Sequence, residues 1–286
     1  MWTSPGPFWP GATRLSPPAA MRLSTVRRPT GVRVSRLIVI GATGSLGSQV
    51  LRQALAAGHQ LTALVRAPSK LPPESSARIS VHRGDLRTLT PAELAQIIGG
   101  HDGLINCAGH VGEGQAFVDL IERLVTGIES LPTAAQPLCW FLAGLALLDI
   151  DRSGRKGVDL PRLESTYWPH HVNFERLCRS GSNWRLLCPG PMVDQPAIGL
   201  ERLRISLDTW PVPVPAVARG LPGLLFLPVF AYMVPQMIVP YADAAALMLA
   251  NLNRGDAMAR HRVGLALPAG MRGKKSRWTA KTRSAA

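Results

Sequence analysis

Three glycines, at 41, 44 and 47, have the spacing in this chain that most directly implies chemistry. Four apolar residues, Leu37–Ile40, come before them, and a helical pattern, Ser48–Ala57, comes after. Gly41 lets the chain reverse sharply, Gly44 leaves room for a pyrophosphate, and Gly47 lets the following helix pack close to the strand. Thr43, Ser45 and Leu46 fill out the turn. At a helix start, backbone N–H groups lacking intrahelical partners and the positive end of the helix dipole both face an anion. A glycine triplet alone is a weak signal, whereas strand, turn and helix in that order form a specific one. The pattern predicts a dinucleotide site.

The next residue with chemical meaning is Arg66. It ends an apolar run, Gln60–Arg66, 25 residues after Gly41, and Lys70 follows closely. Folds that prefer NAD place a carboxylate at this strand end to bind the ribose hydroxyls. A carboxylate repels a 2′-phosphate, whereas a guanidinium binds it with two charge-assisted hydrogen bonds. The expected cofactor is therefore NADP(H), with NAD(H) as the alternative. The plain reading of Arg66 is a solvated residue at a strand end.

The elements that must position these groups alternate along the chain. Strands are expected at Leu37–Ile40, Gln60–Arg66, Ala77–His82, Asp102–Cys107, Leu138–Ala143, Trp184–Cys188 and Arg262–Ala266. Helices are expected at Ser48–Ala57, Pro91–Ile98 (capped by Thr90), Ala116–Ser130, Val172–Arg179 and Ala242–Leu252. Such alternation implies an α/β, Rossmann-type doubly wound parallel sheet, with the ligand at the carboxyl ends of the strands. A small C-terminal lobe on the substrate side, residues 191–240, completes the expected domain of residues 35–268. Trp140 and Trp184 read as core, Met233, Met237 and Met248 as an adaptable pocket lining, and Asp243 as a cap for the last helix.

Charge narrows the range of partners. The formal net charge is +14, but residues 1–36 hold six arginines and no acid, and residues 269–286 hold six Lys/Arg and no acid. The body between them has 20 basic and 18 acidic side chains, so nucleic-acid binding through it is not indicated. Residues 1–34 read as a disordered extension, a start site placed upstream of Met21, or an Arg-rich mitochondrial presequence. Residues 269–286 read as a basic disordered tail. Cys107, Cys139, Cys178 and Cys188 form no CxxC pair and no metal-ligand spacing, which favours reduced thiols and a cytoplasmic setting without a bound metal. Residues 220–242 lack charge, but prolines at 222, 228, 235 and 240 argue against a spanning helix, since each interior proline costs about 3 kcal/mol. This segment is expected to be a broken apolar helix pair over the substrate pocket, or a dimer or membrane-surface contact.

Several further stretches bear a family likeness. With Gly41–Gly47 and Leu64-Val-Arg66, they are Gly84-Asp-Leu86, Asn106-Cys-Ala-Gly109, Ser180–Pro191 and Val239-Pro-Tyr-Ala-Asp-Ala-Ala245. Over roughly residues 35–268 the chain resembles the atypical short-chain dehydrogenase/reductases with an NmrA-like NAD(P)-binding domain. The resemblance implies that Asp85 and Leu86 border the adenine. It also implies that Asn106, Cys107, Ala108 and Gly109 line the ribose and nicotinamide side, and that Pro189 to Pro191 lie near the carboxamide. Family members with redox activity carry a serine and a Tyr-x-x-x-Lys motif. Here Tyr167 matches the tyrosine, His171 stands at the lysine position, and Ala143-Gly144 replaces the serine.

A histidine with a reference pKa of about 6.5 is mostly neutral near neutrality and supplies little field to ionise a phenol. The standard alcohol/ketone mechanism is therefore weakened. His170 or His171 is the alternative proton donor, and a purely structural helix N-terminus at Pro169-His-His is the plain reading. His110 and Glu113, in the loop after the fourth strand, are further candidates for the nicotinamide side, with His110 more simply a surface residue. Two functions remain open: hydride transfer between NADP(H) and a small apolar carbonyl, enone or quinone, or a non-catalytic NADP(H)-binding sensor or assembly protein. A sugar-nucleotide epimerase or dehydratase shares the fold but depends on the same Tyr/Lys pair.

Overall fold

The computed structural model describes residues 34–72, 77–151, 153–161 and 163–274. The expectations for residues 1–33 and for the end of the basic tail lie outside these residues. Among the described residues the chain runs β1 (Arg36–Ile40), α1 (Ser45–Ala56), β2 (Gln60–Val65), β3 (Ser80–Arg83), α2 (Pro91–Ile98) and β4 (Gly103–Asn106). It continues with α3 (Gln115–Glu129), β5 (Leu138–Leu142), α4 (Glu164–Arg179), β6 (Asn183–Cys188), β7 (Met192–Val193) and β8 (Arg204–Leu207). The last elements are α5 (Gly223–Met233), β9 (Val239–Pro240), α6 (Tyr241–Ala250) and β10 (Arg262–Ala266).

The main sheet has the order β3-β2-β1-β4-β5-β6-β10-β8, with every pair parallel except β10 with β8. This is the expected Rossmann-type fold, with an antiparallel edge that periodicity did not foretell. The order reverses between β1 and β4, which opens a crevice at their carboxyl ends. β1 is apolar from Leu37 to Ile40 because both its faces are covered there. Ile38 and Ile40 belong to the cluster with Leu104, Leu124 and Phe141, and Leu37 and Val39 to the one with Val50, Leu51 and Trp140. Trp140 and Trp184 are buried, as expected of core residues.

Three expectations need correction. β3 begins at Ser80 rather than Ala77, and all its residues are exposed because it is the sheet's edge. α4 starts at Glu164, eight residues before the expected Val172, and carries Pro169 inside it. The helix tolerates the lost N–H because Pro169, His170, Asn173 and Leu177 bury one continuous face. Asp243 does not cap α6. It is buried, and its carboxylate accepts the N–H groups of Ile198 (2.8 Å) and Gly199 (3.0 Å), pinning that loop to the helix.

The 220–242 stretch is interrupted as the prolines require. α5 contains Pro228, and a 3-10 turn, Val234–Met237, follows it. No helix among the described residues is long and apolar enough to cross a membrane.

Candidate functional site

Where β1 enters α1 the backbone forms the expected elbow. Gly41 adopts φ +76°, a region that L side chains rarely enter, and its carbonyl accepts the Gly44 N–H at 3.0 Å. A Cβ on Gly41 would lie 2.8 Å from the Ala108 nitrogen, and one on Gly47 would lie 2.1 Å from the Gly41 oxygen. The glycines are therefore required by backbone approach. No side chain caps α1 and no acid occupies its first turn, so no side chain competes there for the N–H groups and the dipole.

A cleft of about 540 Å³ opens over this elbow. Its floor and walls include Gly41, Thr43, Gly44, Cys107, Ala108 and Gly109 on one side and Arg66, Lys70, Asp85 and Leu86 on the other. Arg87, Glu113 and Leu120 also line it. The volume lies in the usual range for small-molecule and cofactor sites. Exposed Arg66 and Lys70 project from the turn after β2, where no carboxylate is present. Asp85 shapes its own loop by accepting the Arg87 N–H at 3.0 Å. Arg87 pairs with Glu113 at 2.7 Å, linking two segments that line the cleft.

The other expected contact residues stand behind this surface. Asn106 is buried, and its side chain accepts the Ala108 N–H (3.1 Å) and donates to the Ala108 carbonyl (3.3 Å), fixing the loop that forms the wall. Ser45 hydrogen-bonds the Tyr241 hydroxyl, a bond that opposes the upward push of burial on that phenol. Leu46 is core, Gly47 a packing position, and Pro189 a buried residue whose carbonyl accepts the Leu145 N–H at 2.9 Å. Burial pushes the Cys107 thiol up to about 12, so it is no nucleophile at neutral pH. Met233, Met237 and Met248, expected as pocket lining, are buried core residues, and none lines the cleft.

The corner beyond Gly109 is built differently. Tyr167, His170 and His171 all sit on α4, but they face different surroundings. The His171 ring nitrogen Nε2 lies 3.2 Å from Glu175, on a substantially exposed part of the helix. His170 is buried, stacks on Tyr167 at 6.1 Å and meets Phe117 edge-on at 5.7 Å. A Cβ on Gly144 would lie 3.2 Å from the His170 Nε2, and one on Gly109 would lie 2.4 Å from the Phe117 ring. The imidazole thus presses against the position where the serine is missing. Burial, with a smaller contribution from His110, drives the His170 pKa down to about 4. Its Nδ1 and both side-chain polar atoms of Asn173, three residues along, are buried without a hydrogen-bond partner. His110 itself is exposed, and its Nδ1 accepts the Gly112 N–H at 3.0 Å.

Sequence reasoning missed Arg87, Phe117 and Asn173. Arg87 follows Gly84-Asp-Leu86 directly and could have been read from that position. Phe117 and Asn173 carry no local signal, because only the packing of α3 against α4 brings them to this corner.

The fold has solved counterparts. A protein from Lactobacillus casei is 21% identical with a TM-score of 0.61, covering 82% of this chain and 99% of that one. A candidate NADH-flavin reductase from Streptococcus pneumoniae is 20% identical with a TM-score of 0.58, covering 82% and 99%. An anaerobilin reductase from Escherichia coli O157:H7 is 16% identical with a TM-score of 0.56, covering 82% and 98%. A family model described as NAD(P)H-binding matches residues 41–221, which include the elbow, the cleft and α4, and the chain belongs to that NAD(P)H-binding family.

Proposed function

We propose that this chain is an NADP(H)-dependent oxidoreductase of the atypical short-chain, NmrA-like type, acting on a small apolar carbonyl, enone or quinone. The observation that carries the NADP(H) preference is the cation set Arg66, Lys70 and Arg87 around a cleft with no carboxylate at the end of β2. The uncapped start of α1 suits the pyrophosphate, and Arg66 and Lys70 suit a 2′-phosphate. A bound nicotinamide nucleotide supplies the hydride, and the chain supplies orientation and a proton. Asn106 holds the Ala108 wall in place.

For the proton, Tyr167 and His171 remain the residues implied by family position. His170 is the better placed of the two histidines, because it is buried against Tyr167 whereas the His171 Nε2 turns to Glu175. It stays neutral near neutrality, so it orients a substrate oxygen through an N–H rather than acting as a cationic acid. The reductase names of two structural neighbours are consistent with reductive chemistry.

The packed corner favours a second reading, a non-catalytic NADP(H)-binding sensor or assembly protein. Phe117 and His170 fill the space beside Gly109 and Gly144, where a substrate would have to enter. NADPH oxidation over a panel of quinones, enones and carbonyls separates the two. Under the first reading Tyr167→Phe or His170→Ala lowers kcat while NADPH affinity is kept. If no substrate turns over and a partner's binding responds to NADPH, the second reading holds.

A further inference from the structure

An amphipathic helix normally turns polar side chains to water, and α5 does not. Its eleven residues contain no polar side-chain atom except the Tyr232 hydroxyl. Phe226 is buried, with its ring 6.1 Å from Trp210, which anchors one side of the helix. On the other side Leu224, Leu225 and Tyr232 are 64, 62 and 66% exposed. With exposed Pro228 between them, they follow the spacing of a single helix face. Val217, shortly before the helix, is 90% exposed. Contiguous apolar exposure of this kind marks a contact surface.

Charge identifies the occupant. Between Asp208 and Asp243 the chain has no acid, and Arg219 is its one charged residue. The Arg272 guanidinium lies 4.4 Å over the Tyr232 ring and donates to the Tyr232 carbonyl at 2.7 Å. The Gly273 N–H donates to the Pro235 carbonyl at 2.7 Å, so the chain is tied to this face as it leaves β10. From there the sequence continues through Lys274, Lys275 and Arg277 to Arg283, with Trp278 among the cations and no acid.

We propose that this face docks on the surface of an anionic lipid bilayer. Leu224, Leu225 and Tyr232 enter the boundary between headgroups and acyl chains, and Arg272 and Lys274 face the lipid phosphates, with the cationic sequence after them adding charge. An apolar helix face next to a cluster of Lys/Arg is the combination that anionic bilayers recognise. A second copy fits less well, because a two-fold contact sets the patch against itself and brings two cationic runs together. An eleven-residue helix interrupted by Pro228 is too short to span. The proposal does not depend on whether chemistry occurs in the nucleotide cleft.

Flotation of the full-length protein tests it, with vesicles of phosphatidylcholine alone or with about 30 mol% phosphatidylserine added. Binding is expected on the anionic vesicles at low salt, falling as salt rises, with little on the neutral ones. The exposed-face double variant Leu224→Glu/Leu225→Glu should lower partitioning at least about tenfold, as should Lys274→Glu/Lys275→Glu/Arg277→Glu. Both variants should keep the wild-type Tm and NADPH affinity, which shows that the fold survives. The proposal is overturned if wild type ignores anionic vesicles at low salt, or if the Leu224→Glu/Leu225→Glu variant binds them as well as wild type. A dimer that this variant dissociates, with no vesicle binding by wild type, overturns it in favour of a contact between copies.

Discussion

The cleft over the elbow and the packed corner beyond Gly109 are made from different kinds of atoms. Over the elbow, recognition rests on backbone: N–H groups at the start of α1, glycines that admit close approach, and a loop fixed by Asn106. Beyond Gly109, the packing is side chain: Phe117, Tyr167 and His170, with His170 against Gly144. A backbone site persists as long as its few glycines do, because nearly any other residue can vary around it. On the proposed reading, a reaction corner depends on individual functional groups, and two of the three that the family resemblance implies, the serine and the lysine, are replaced here. On that reading, nucleotide binding and catalysis are therefore separable in this chain, and each can be broken without the other.

The sharpest break lies at the elbow. Gly41→Val puts a β-branched side chain at φ +76°, with its Cβ 2.8 Å from the Ala108 backbone. The strain and clash should cost about 3 kcal/mol of stability or more, seen as a lower denaturation midpoint. NADPH binding, followed by titration calorimetry, should be lost. Activity lost with binding intact would show that the elbow does not seat the nucleotide.

The packed corner beyond Gly109 should show itself through pH. Burial holds His170 at about 4 in the folded chain, against an ordinary 6.5. Between those values the unfolded chain binds the extra proton and the folded chain does not. The stability tied to neutral His170 is therefore complete above about 6.5, and it is lost as pH falls toward 4. The full loss is on the order of 3 kcal/mol. Chemical denaturation across that range should give a steep slope for wild type and a shallower one for His170→Gln. Equal slopes would mean that His170 titrates normally and is not packed into the corner.

Arg66→Glu, next in size, sharpens the nucleotide end. Replacing a charge-assisted contact by repulsion should weaken NADPH binding roughly thirty- to a hundredfold and NADH much less. Equal losses for the two nucleotides would remove the 2′-phosphate assignment.

The same contrast explains how much could be read in advance. The elbow, the order of strands and helices, and the place of Arg66 just after β2 were legible because each follows from local spacing: four apolar residues, three glycines, a strand end. The antiparallel partner β8 was not, since Arg204–Leu207 is only partly buried and gains its place by pairing with β10. The early start of α4 was hidden by Pro169, which in isolation reads as a boundary and in place is held by the buried face around it. His170 and His171 are neighbours in sequence and equal by position. Helix geometry alone decides that one enters the corner and the other turns to Glu175. Local rules see turns and strand ends, and tertiary packing decides which of two adjacent side chains is buried.

The smallest effect expected runs in the opposite direction from Arg66→Glu. Glu113 and Asp85 are the carboxylates that line the cleft, and Glu113 holds Arg87 at 2.7 Å with both side chains partly exposed. A partly exposed pair of this kind contributes at most about 1 kcal/mol, so breaking it should leave the Tm almost unchanged. Glu113→Gln removes a negative charge from the wall of an anion site and releases Arg87 toward the nucleotide. NADPH binding should tighten by up to about fivefold at low salt, and the gain should fade as ionic strength rises. Weaker binding would instead mean that the bridge is part of the assembled site, with Glu113 positioning Arg87 rather than restraining it. Because the elbow is untouched in this variant, either outcome isolates what the side-chain wall adds to a site whose foundation is backbone.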